Sequence, residues 1–330
     1  MTFGIDIGTT SVSGVAMDSN STVVATITRV HAADMPNLPS GVHTQNPERL
    51  MSVTDHVIAE LEAQVGPAER IGWTGQMHGV VGVDADLRPV TPFVTWCDAR
   101  RFGGRVMAEW ATSGRPIAFC LSVCGLAIAQ RTGRCVIDPT FLHSWHLEEV
   151  EDKIPSAWIP TLDDVSMLGD NPAGVYAAHH LAPGCAVVNL GTSGQLSIVE
   201  DRPFHLWHDG SLERRPYPGN KTLLCHVSLV GGRAFAELRK ALGISWEEMN
   251  MRAESDERIA RCIWEIVDDL VGGINLDGIK SFLGIGNALT RNSALYHAIE
   301  NHLGIQCIIP PIPEMAAYGA ALHASRHDHP

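Results

Sequence analysis

Positive charge is scarce in this chain. Its 24 lysines and arginines are outnumbered by 37 aspartates and glutamates, which gives a formal net charge of −13 over 330 residues. A protein this acidic repels polyanions, so the composition argues against binding of nucleic acid or of an anionic membrane surface. It does not exclude a nucleotide, because a metal ion and backbone N–H groups neutralise phosphates within an acidic protein.

Long apolar runs and paired cysteines are also missing. No apolar stretch reaches the length of a membrane span, and the first residues lack the basic and apolar segments of a signal peptide. The eight cysteines are dispersed and include no C-x-x-C pair. These features predict a cytoplasmic protein with reduced thiols, and they leave the formation of a homodimer open.

Two short segments share one pattern. Residues 3–11 and 187–194 each contain an apolar strand, a Gly-Thr turn and a second strand, and a polar residue, Asp6 or Asn189, stands two positions before each glycine. Glycine lets the backbone approach an anion closely, and the free N–H groups of a tight turn bind phosphate. A single copy would favour an ordinary hairpin turn. The repeat instead predicts a duplicated fold that holds a polyphosphate between two similar halves.

The chain is long enough for two α/β domains, and we place them at residues 1–183 and 184–330. Residues 117–165 show no clear hydrophobic period. Periodicity and helix-start signals elsewhere predict a hairpin over 2–17, strands over 23–30, 70–74, 80–83, 279–283 and 307–309, a strand starting at 186, and helices over 47–64, 101–112, 170–180, 233–242, 259–272, 292–303 and 315–324.

The chain contains neither of the two common nucleotide-binding sequence motifs in complete form. The chain has no P-loop sequence, since Lys221 and Thr222 follow Asn220 where glycine would be required. The segment 284–289 begins Gly-Ile-Gly-Asn but lacks the third glycine of a dinucleotide fingerprint. We expect this turn, with Asn292 at the start of the next helix, to approach an adenine or a ribose. An NAD-dependent oxidoreductase is the alternative, and it rests on this segment alone.

Asp170 is the candidate catalytic residue. Asp170 and Asn171 precede Pro172, a pattern that predicts a helix start, and either could simply cap that helix. The two roles are compatible, because a carboxylate beside a helix N-terminus stays ionised and can accept a proton from an attacking hydroxyl.

Two polar loops follow predicted strands, at residues 75–79 and 95–100. A tryptophan face combined with an aspartate and a histidine suits a polyhydroxylated ligand, since it offers apolar stacking and several hydrogen-bond acceptors. The alternative is that Trp96 belongs to the core and that Asp98 and Arg100 form a surface pair.

The order of these motifs resembles the FGGY family of carbohydrate kinases from end to end. The matching segments are Gly4–Ser11, Gly75–Gly79, Trp96–Arg100, Gly169–Ala173, Gly191–Gly194, Gly284–Asn287 and Gly319–Leu322. Within the family, Asp138–Thr140 with Ser144 and Trp145 looks most like the sedoheptulose kinases, while the Gln-Met-His-Gly motif is shared with xylulose kinases. The resemblance implies a duplicated α/β fold of the actin/hexokinase-like (ribonuclease H-like) class, with a sugar-binding first domain and a nucleotide-binding second domain.

The resemblance also implies ATP-dependent phosphorylation of a primary hydroxyl of a ketose, with Mg²⁺ held by Asp6 and Asp170 as general base. The implied sugar-site residues are Gln76, Met77, His78, Trp96 and Asp98. The implied phosphate-site residues are Gly8, Thr9, Thr10, Gly191, Thr192 and Ser193. The implied adenosine-site residues are Gly284, Gly286, Asn287 and Asn292.

The resemblance also implies a shortened chain. Relative to the family, material is expected to be missing within 124–132, between 151 and 167, and near 250–254. Pro172 also replaces the usual polar or small residue beside Asp170. A shortened, non-catalytic relative that binds sugar or nucleotide is therefore a second hypothesis beside the active kinase.

Overall fold

The computed structural model describes residues 1–100, 102–163, 165–191, 194–205, 212–228, 231–271 and 274–326, without the side chains of Glu151 and Asn287. The chain forms two compact units. The first comprises Met1–Ala177 together with Glu314–Pro330, and the second comprises Ala178–Pro313. The second unit is thus an insertion within the first. The segment from Glu314 onward, which we expected in the second domain, belongs to the first unit.

The first unit is built on a five-stranded sheet and several smaller strand pairs. Its strands are β1 (Thr2–Ile7), β2 (Ser11–Met17), β3 (Val23–Val30), β4 (Thr44–Gln45), β5 (Arg70–Gly75), β6 (Val81–Val83), β7 (Phe93–Val94), β8 (Phe119–Leu121), β9 (Val136–Ile137), β10 (Thr161–Leu162) and β11 (Met167–Gly169). Its main sheet has the order β11-β5-β1-β2-β3, in which β11, β5 and β1 are parallel and the two hairpin connections are antiparallel.

The helices of the first unit include one from the far end of the chain. They are α1 (Pro47–Val65), α2 (Gly103–Ala111), α3 (Val123–Thr132), α4 (Pro139–Ser144) and α5 (Asp170–Leu181), which runs past the unit boundary, and the closing helix Met315–Arg326. Short 3₁₀ turns follow α4 at Leu147–Glu149, Glu151–Lys153 and Ser156–Trp158.

Helix α1 forms where its sequence pattern predicts it. The Asn46 side chain caps its start by accepting a hydrogen bond from the Arg49 amide (2.8 Å), with Pro47 in the first turn. Leu50, Val57 and other apolar residues at helical spacing are buried along one face.

The second unit repeats the plan of the first. Its strands are β12 (Ala186–Leu190), β13 (Gly194–Glu200), β14 (Glu213–Tyr217), β15 (Lys221–Ser228), β16 (Ser281–Ile285) and β17 (Gln306–Ile308). Its helices are α6 (Gly232–Leu242), α7 (Trp246–Met251), α8 (Glu257–Val271), α9 (Asn287–Arg291) and α10 (Ser293–Leu303), so the closing helix of the chain is α11. The sheet order is β14-β15-β13-β12-β16-β17, with an antiparallel β12–β13 hairpin and parallel β16 and β17. The predicted duplication is therefore present in the strand topology.

The region without a clear hydrophobic period contains a regular helix. Helix α3 begins at Ser122, whose hydroxyl accepts from the Gly125 amide (3.0 Å), and ends at Gly133 in the left-handed conformation. Residues 123–129 are all buried, so apolar residues occur on every face and no period marks the helix. One of the three places where the resemblance implied missing chain is thus a continuous helix. No helix in the described ranges combines the length and the apolarity that a bilayer span requires.

Candidate functional site

Three predicted motifs follow the three parallel strands of the first sheet. Gly8 follows β1, Gln76 follows β5 and Asp170 follows β11. The register aligns these strand ends, since Ile7 and Gly169 both pair with Gly75. Carboxyl ends of parallel strands are where α/β sheets bind ligands. The first unit therefore brings the Gly-Thr turn, the 75–79 loop and Asp170 to one edge of its sheet.

Asp6 is the last residue but one of β1, just before that edge of the sheet, and other carboxyl groups lie near it. The pKa of its carboxyl is raised to about 8, chiefly by burial and further by the nearby charges of Asp170 and Glu314. The Oδ1 atom of Asp6 is inaccessible to solvent and has no hydrogen-bond partner among the described residues. A cation would relieve both the charge repulsion and the unpaired oxygen.

The surroundings of Asp6 fit a magnesium ion bound jointly with phosphate. Within the described residues, no three His, Cys, Asp or Glu side chains are grouped so as to hold a metal by themselves. Mg²⁺ in nucleotide sites needs only one or two carboxylates, because phosphate oxygens and waters supply its other ligands. Asp6 meets that requirement.

Asp170 is the first residue of α5, and the backbone amides of the residues before and after it are both hydrogen-bonded. The Thr140 hydroxyl accepts a hydrogen bond from the Gly169 amide (2.8 Å), and Thr140 itself donates to Asp138, the cap of α4. The Asp170 Oδ1 atom accepts from the Asn171 amide (2.8 Å). Asp170 thus starts the helix, as the sequence predicts, while remaining partly exposed.

The Gly8–Thr10 turn closes with a hydrogen bond from the Gly8 amide to the Ser11 carbonyl (3.0 Å). Trp96 lies beside this turn, and its Nε1 donates to the Thr9 hydroxyl (2.9 Å). Its side chain is 48% exposed, so the alternative of a core tryptophan is wrong. An exposed indole held at one edge offers its face to a ligand.

His78 is held in a restricted orientation. Its backbone is left-handed (φ +66°), its amide donates to the Ser144 hydroxyl (3.0 Å), and its Nδ1 contacts the Ser144 carbonyl (2.9 Å). Because a carbonyl oxygen only accepts, Nδ1 carries a proton, and in the neutral ring Nε2 is an acceptor suited to a hydroxyl group. Met77 is buried and packs on Gly169, where an added methyl group would lie 2.5 Å from its sulfur.

Asp98 is committed to an ion pair. It is 2% exposed and accepts from Arg100 Nε (2.6 Å), Arg100 Nη2 (2.8 Å) and the His43 amide (3.0 Å). Burial alone would raise the pKa of Asp98, but these hydrogen bonds outweigh it and hold the pKa below its usual value. The Asp98–Arg100 pair that the sequence left open is present, although Asp98 is buried rather than on the surface.

Sequence reasoning missed an aromatic group next to His78. Phe102 and His146 lie with ring centroids 4.0 Å apart, and each is near His78, at 5.8 and 6.2 Å. The Arg105 guanidinium lies 5.6 Å from the Phe102 ring centre. A weak signal existed in the sequence, because Phe102 directly follows the 95–100 loop, but the approach of His146 depends on the tertiary fold.

The second unit arranges its own glycines around the end of β12. Gly191 follows β12 and Gly286 follows the neighbouring strand β16. Gly286 has φ +90°, and a methyl group there would lie 2.5 Å from the Leu190 carbonyl oxygen and 2.7 Å from Asn189 Oδ1. Only glycine fits this position. Thr192 and Ser193, which we expect to contact phosphate, lie outside the described residues.

Helix starts surround this edge of the second sheet. Helix α6 begins at Gly232, where an added methyl group would overlap the Gly191 carbonyl oxygen. The Gly231-Gly232 pair before a helical run was the missed sequence signal for this close approach. Asn292 is buried, and its Nδ2 donates to the Ala288 carbonyl (2.6 Å), which ties α9 to α10. Gly284 packs against Leu289, and Asn287 starts α9.

Solved structures with the same fold identify the structural class. The chain superimposes on xyloylose kinase from Brucella ovis with a TM-score of 0.83 at 18% identity, covering 98% of this chain and 89% of the other. It superimposes on glycerol kinase from Plasmodium falciparum with a TM-score of 0.80 at 15% identity, covering 98% and 88%. The predicted duplicated α/β fold of the actin/hexokinase-like class is confirmed.

Sequence comparison narrows this class for the first part of the chain. Residues 1–120 match the N-terminal domain of the FGGY family of carbohydrate kinases. Gluconokinase from Bacillus subtilis (strain 168) is 34% identical over 103 residues, and xylulose kinase from Lactococcus lactis subsp. lactis (strain IL1403) is 31% identical over 101 residues. These alignments cover 30% and 29% of this chain but only 20% of each relative, so the match spans about a fifth of their length. The first 120 residues are therefore similar to the N-terminal domain of FGGY carbohydrate kinases.

Proposed function

We propose that the protein is an ATP-dependent carbohydrate kinase that transfers the γ-phosphoryl group to a primary hydroxyl of a sugar. The observation that carries this proposal is the meeting of three motifs at one edge of the first sheet: the Gly8–Thr10 turn, the 75–79 loop and Asp170. The family match covers the first two of them.

Asp170 is the general base in this proposal. It accepts the proton of the sugar hydroxyl as that oxygen bonds to the γ-phosphorus and the bond to the ADP oxygen breaks. Its place after a short β-strand, with Gly169 bonded to Thr140, fixes the carboxylate relative to Asp6 and the turn. Mg²⁺ bound with the phosphates at Asp6 would supply charge neutralisation.

The remaining residues bind and orient the substrates. Backbone N–H groups of residues 8–10 are donors for phosphate oxygens in the first unit, and Gly191, Thr192 and Ser193 are the phosphate-site residues that the resemblance implies for the second unit. His78 Nε2 accepts from a sugar hydroxyl and the exposed face of Trp96 stacks on the sugar ring or chain. Asp98 contributes by holding its loop through Arg100. Gly284, Gly286, Asn287 and Asn292 border the adenosine.

Three sugars are candidates for the substrate: sedoheptulose, gluconate and xylulose. Sedoheptulose is the substrate implied by the family resemblance of segments that include Asp138–Thr140, Ser144 and Trp145. Ser144 and Trp145 support the sugar loop, through the Ser144 bonds to His78 and a hydrogen bond from Trp145 Nε1 to the Gly79 carbonyl (2.9 Å). The relatives are named gluconokinase and xylulose kinase, which makes gluconate and xylulose the competing candidates.

A coupled assay of ADP release tests the proposal. The panel contains sedoheptulose, xylulose, gluconate and glycerol with MgATP, and a thermal melt shows that the protein is folded. We expect turnover with one of these substrates, its loss on chelation with EDTA, and a fall in kcat of about 10²- to 10⁴-fold for Asp170→Asn. Asp86→Asn, at a side chain that is 70% exposed, is the matched control and should leave kcat unchanged. Folded protein without sugar-dependent turnover would refute the kinase function.

A non-catalytic relative is the second candidate, and an exposed surface of the second unit favours it. Helices α7, α8 and α10 line a groove that includes Met251, Trp264 and Ala294, and the first two side chains are 71% and 58% exposed. The groove lies where the resemblance implies missing chain near 250–254. Apolar surface left open in this way is expected when a packing segment is absent. Thermal stabilisation by MgADP or sugar without turnover would support this candidate.

A further inference from the structure

A buried pair of glutamines lies beneath the Gly8–Thr10 turn. Gln45, in β4, is fully buried, and its Nε2 donates to the Thr9 carbonyl (2.7 Å) and to Asp34 Oδ1 (2.8 Å). Gln76 is 1% exposed, and its Nε2 donates to Gln45 Oε1 (2.9 Å) and to the Gly8 carbonyl (3.3 Å). Two amide side chains therefore bind two consecutive carbonyl groups of the turn.

This arrangement meets a geometric need of an anion-binding turn. If the N–H groups of the turn are to face a phosphate, its carbonyl groups must point the other way, into the protein. Buried carbonyl groups require donors. A glutamine amide can donate to a carbonyl and accept from a neighbouring amide at the same time, which is how Gln76, Gln45 and Thr9 are linked.

We propose that Gln45 and Gln76 are positioning residues for phosphoryl transfer, which fix the carbonyl groups of Gly8 and Thr9 and so aim the turn at phosphate. This inference rests on the proposed kinase function. It gives Gln76 a different role from the sugar contact implied by the resemblance, because its side chain is buried and bonded to the turn. Since Met77 and His78 follow Gln76 directly, the pair also connects the sugar loop to the phosphate turn.

The Thr9–Trp96 hydrogen bond strengthens this connection from the exposed side. Thr9 is held through its carbonyl by Gln45 and through its hydroxyl by Trp96. A displacement of the turn would therefore disturb both the buried glutamines and the exposed indole.

Four variants test the proposal. Gln45→Leu and Gln76→Leu remove the donors, and Gln45→Asn keeps the amide on a side chain shorter by one methylene. The matched control is Gln64→Leu, at an exposed position of α1. The first measurement is amide hydrogen exchange of peptides that contain residues 8–11, and the second is the separation of kcat from the KM values for sugar and ATP.

We expect exchange in the turn to be about five- to tenfold faster in both leucine variants, since each loses a hydrogen bond worth about 1 kcal/mol, and unchanged in the control. We expect kcat to fall on the order of tenfold to a hundredfold, with the KM for sugar changed less than threefold. Gln45→Asn should lie between wild type and Gln45→Leu. Purely structural damage would instead lower the concentration of folded enzyme and leave its KM values and the exchange of the turn as in wild type.

The two proposals fail in different ways. Exchange in the turn that matches wild type in both leucine variants would overturn the positioning role, even if kcat falls. If wild type turns over none of the sugars, the kinase function fails, and the exchange rates still decide whether the glutamines hold the turn. Should a leucine variant not fold, Gln45→Asn and a fifth variant, Gln76→Asn, decide by the same comparison of exchange rates.

Discussion

Asp6 and Asn189 stand at equivalent points of the two sheets but in different surroundings. Asp6 pairs with Thr74 of β5, as Asn189 pairs with Ile285 of β16. Asp170 and Glu314 act on the charge of Asp6, whereas the amide oxygen of Asn189 lies close to Gly286. The repeat therefore keeps a polar side chain at both points and an ionisable one at Asp6. Of these two points, Asp6 is the one at which a cation is expected.

Asp98 shows why the role of a single residue is hard to predict from sequence. The spacing of Asp98 and Arg100 allowed either a ligand contact or an ion pair, and the choice depended on burial, which sequence does not give. For the loop residues Trp96 and His78 a ligand contact stays a prediction, made because polar and aromatic residues after strands tend to face ligands. Phe102 and His146 could not be paired without the fold.

We predict that Asp98→Asn lowers the free energy of unfolding by about 2 kcal/mol at pH 7, because Arg100 loses its buried partner. The pKa of Asp98 is lower in the folded protein than in the unfolded chain, so the unfolded chain binds the proton more readily. The contribution is therefore complete above about pH 4 and is lost as the pH falls below that value.

Urea unfolding of wild type and Asp98→Asn at pH 7, 5 and 3.5 measures this difference. The gap between the two proteins should be constant from pH 7 to 5 and smaller at pH 3.5. Asp86→Asn, in an exposed pair with Arg88, is the control and should change stability by less than about 0.5 kcal/mol. A gap that widens below pH 4 would contradict the assigned sign.

At the scale of elements, α11 is packed unusually close to the first sheet. Methyl groups at Gly4 of β1 and Gly72 of β5 would overlap the carbonyl oxygens of Ala317 and Ala320. A methyl group at Gly319 would overlap the Ala173 carbonyl of α5. Backbone meets backbone at all three places, so no side-chain rotation can make room.

We predict that Gly72→Ala destabilises the first unit by about 2–4 kcal/mol, since helix and strand must move apart. Gly125→Ala is the matched control, because a methyl group there would lie 3.2 Å from the Ser122 hydroxyl oxygen and 3.3 Å from the Val136 carbonyl oxygen, which small shifts accommodate, and alanine favours a helix. Thermal melts and urea unfolding measure both. Equal stability of the two variants would show that α11 tolerates displacement.

Elements with one buried face were predictable, and an element buried on every face was not. The period of α1 gave its length to within a residue, and the third strand matches its predicted range. Helix α3 was missed because its residues 123–129 are all buried. The close packing of α11 could not be predicted either, because a glycine in a strand can mark a bulge, a bend or the close approach of another backbone.

At the scale of the whole molecule, the two units do not follow one another along the sequence, because the second unit is inserted within the first. Local signals place a change of domain near residue 184, where β12 starts a second copy of the motif, and the second compact unit begins at Ala178. They could not indicate that the chain returns to the first unit at Glu314, since that depends on contacts between residues about 300 positions apart.

We predict that residues 1–183 alone do not fold cooperatively, because they lack α11. A chain in which residues 1–177 are joined to 314–330 by a glycine-serine linker should fold, since it contains the whole first unit. Circular dichroism melts of the two proteins, with limited proteolysis as a second readout, measure the difference. Cooperative unfolding of residues 1–183 alone would show that the closing helix is dispensable.

The insertion of one unit within the other also fixes a sequence of events during synthesis. The strand that contains Asp6 and the strands that precede Gln76 and Asp170 leave the ribosome early, but the helix that covers β1 and β5 is made only after all of the second unit. The second unit is therefore fully synthesised, and able to fold, before the first unit receives its last helix. The nascent first unit must therefore keep an apolar sheet face from aggregating until Met315–Arg326 emerges, and the conditions of translation will influence the yield of folded protein.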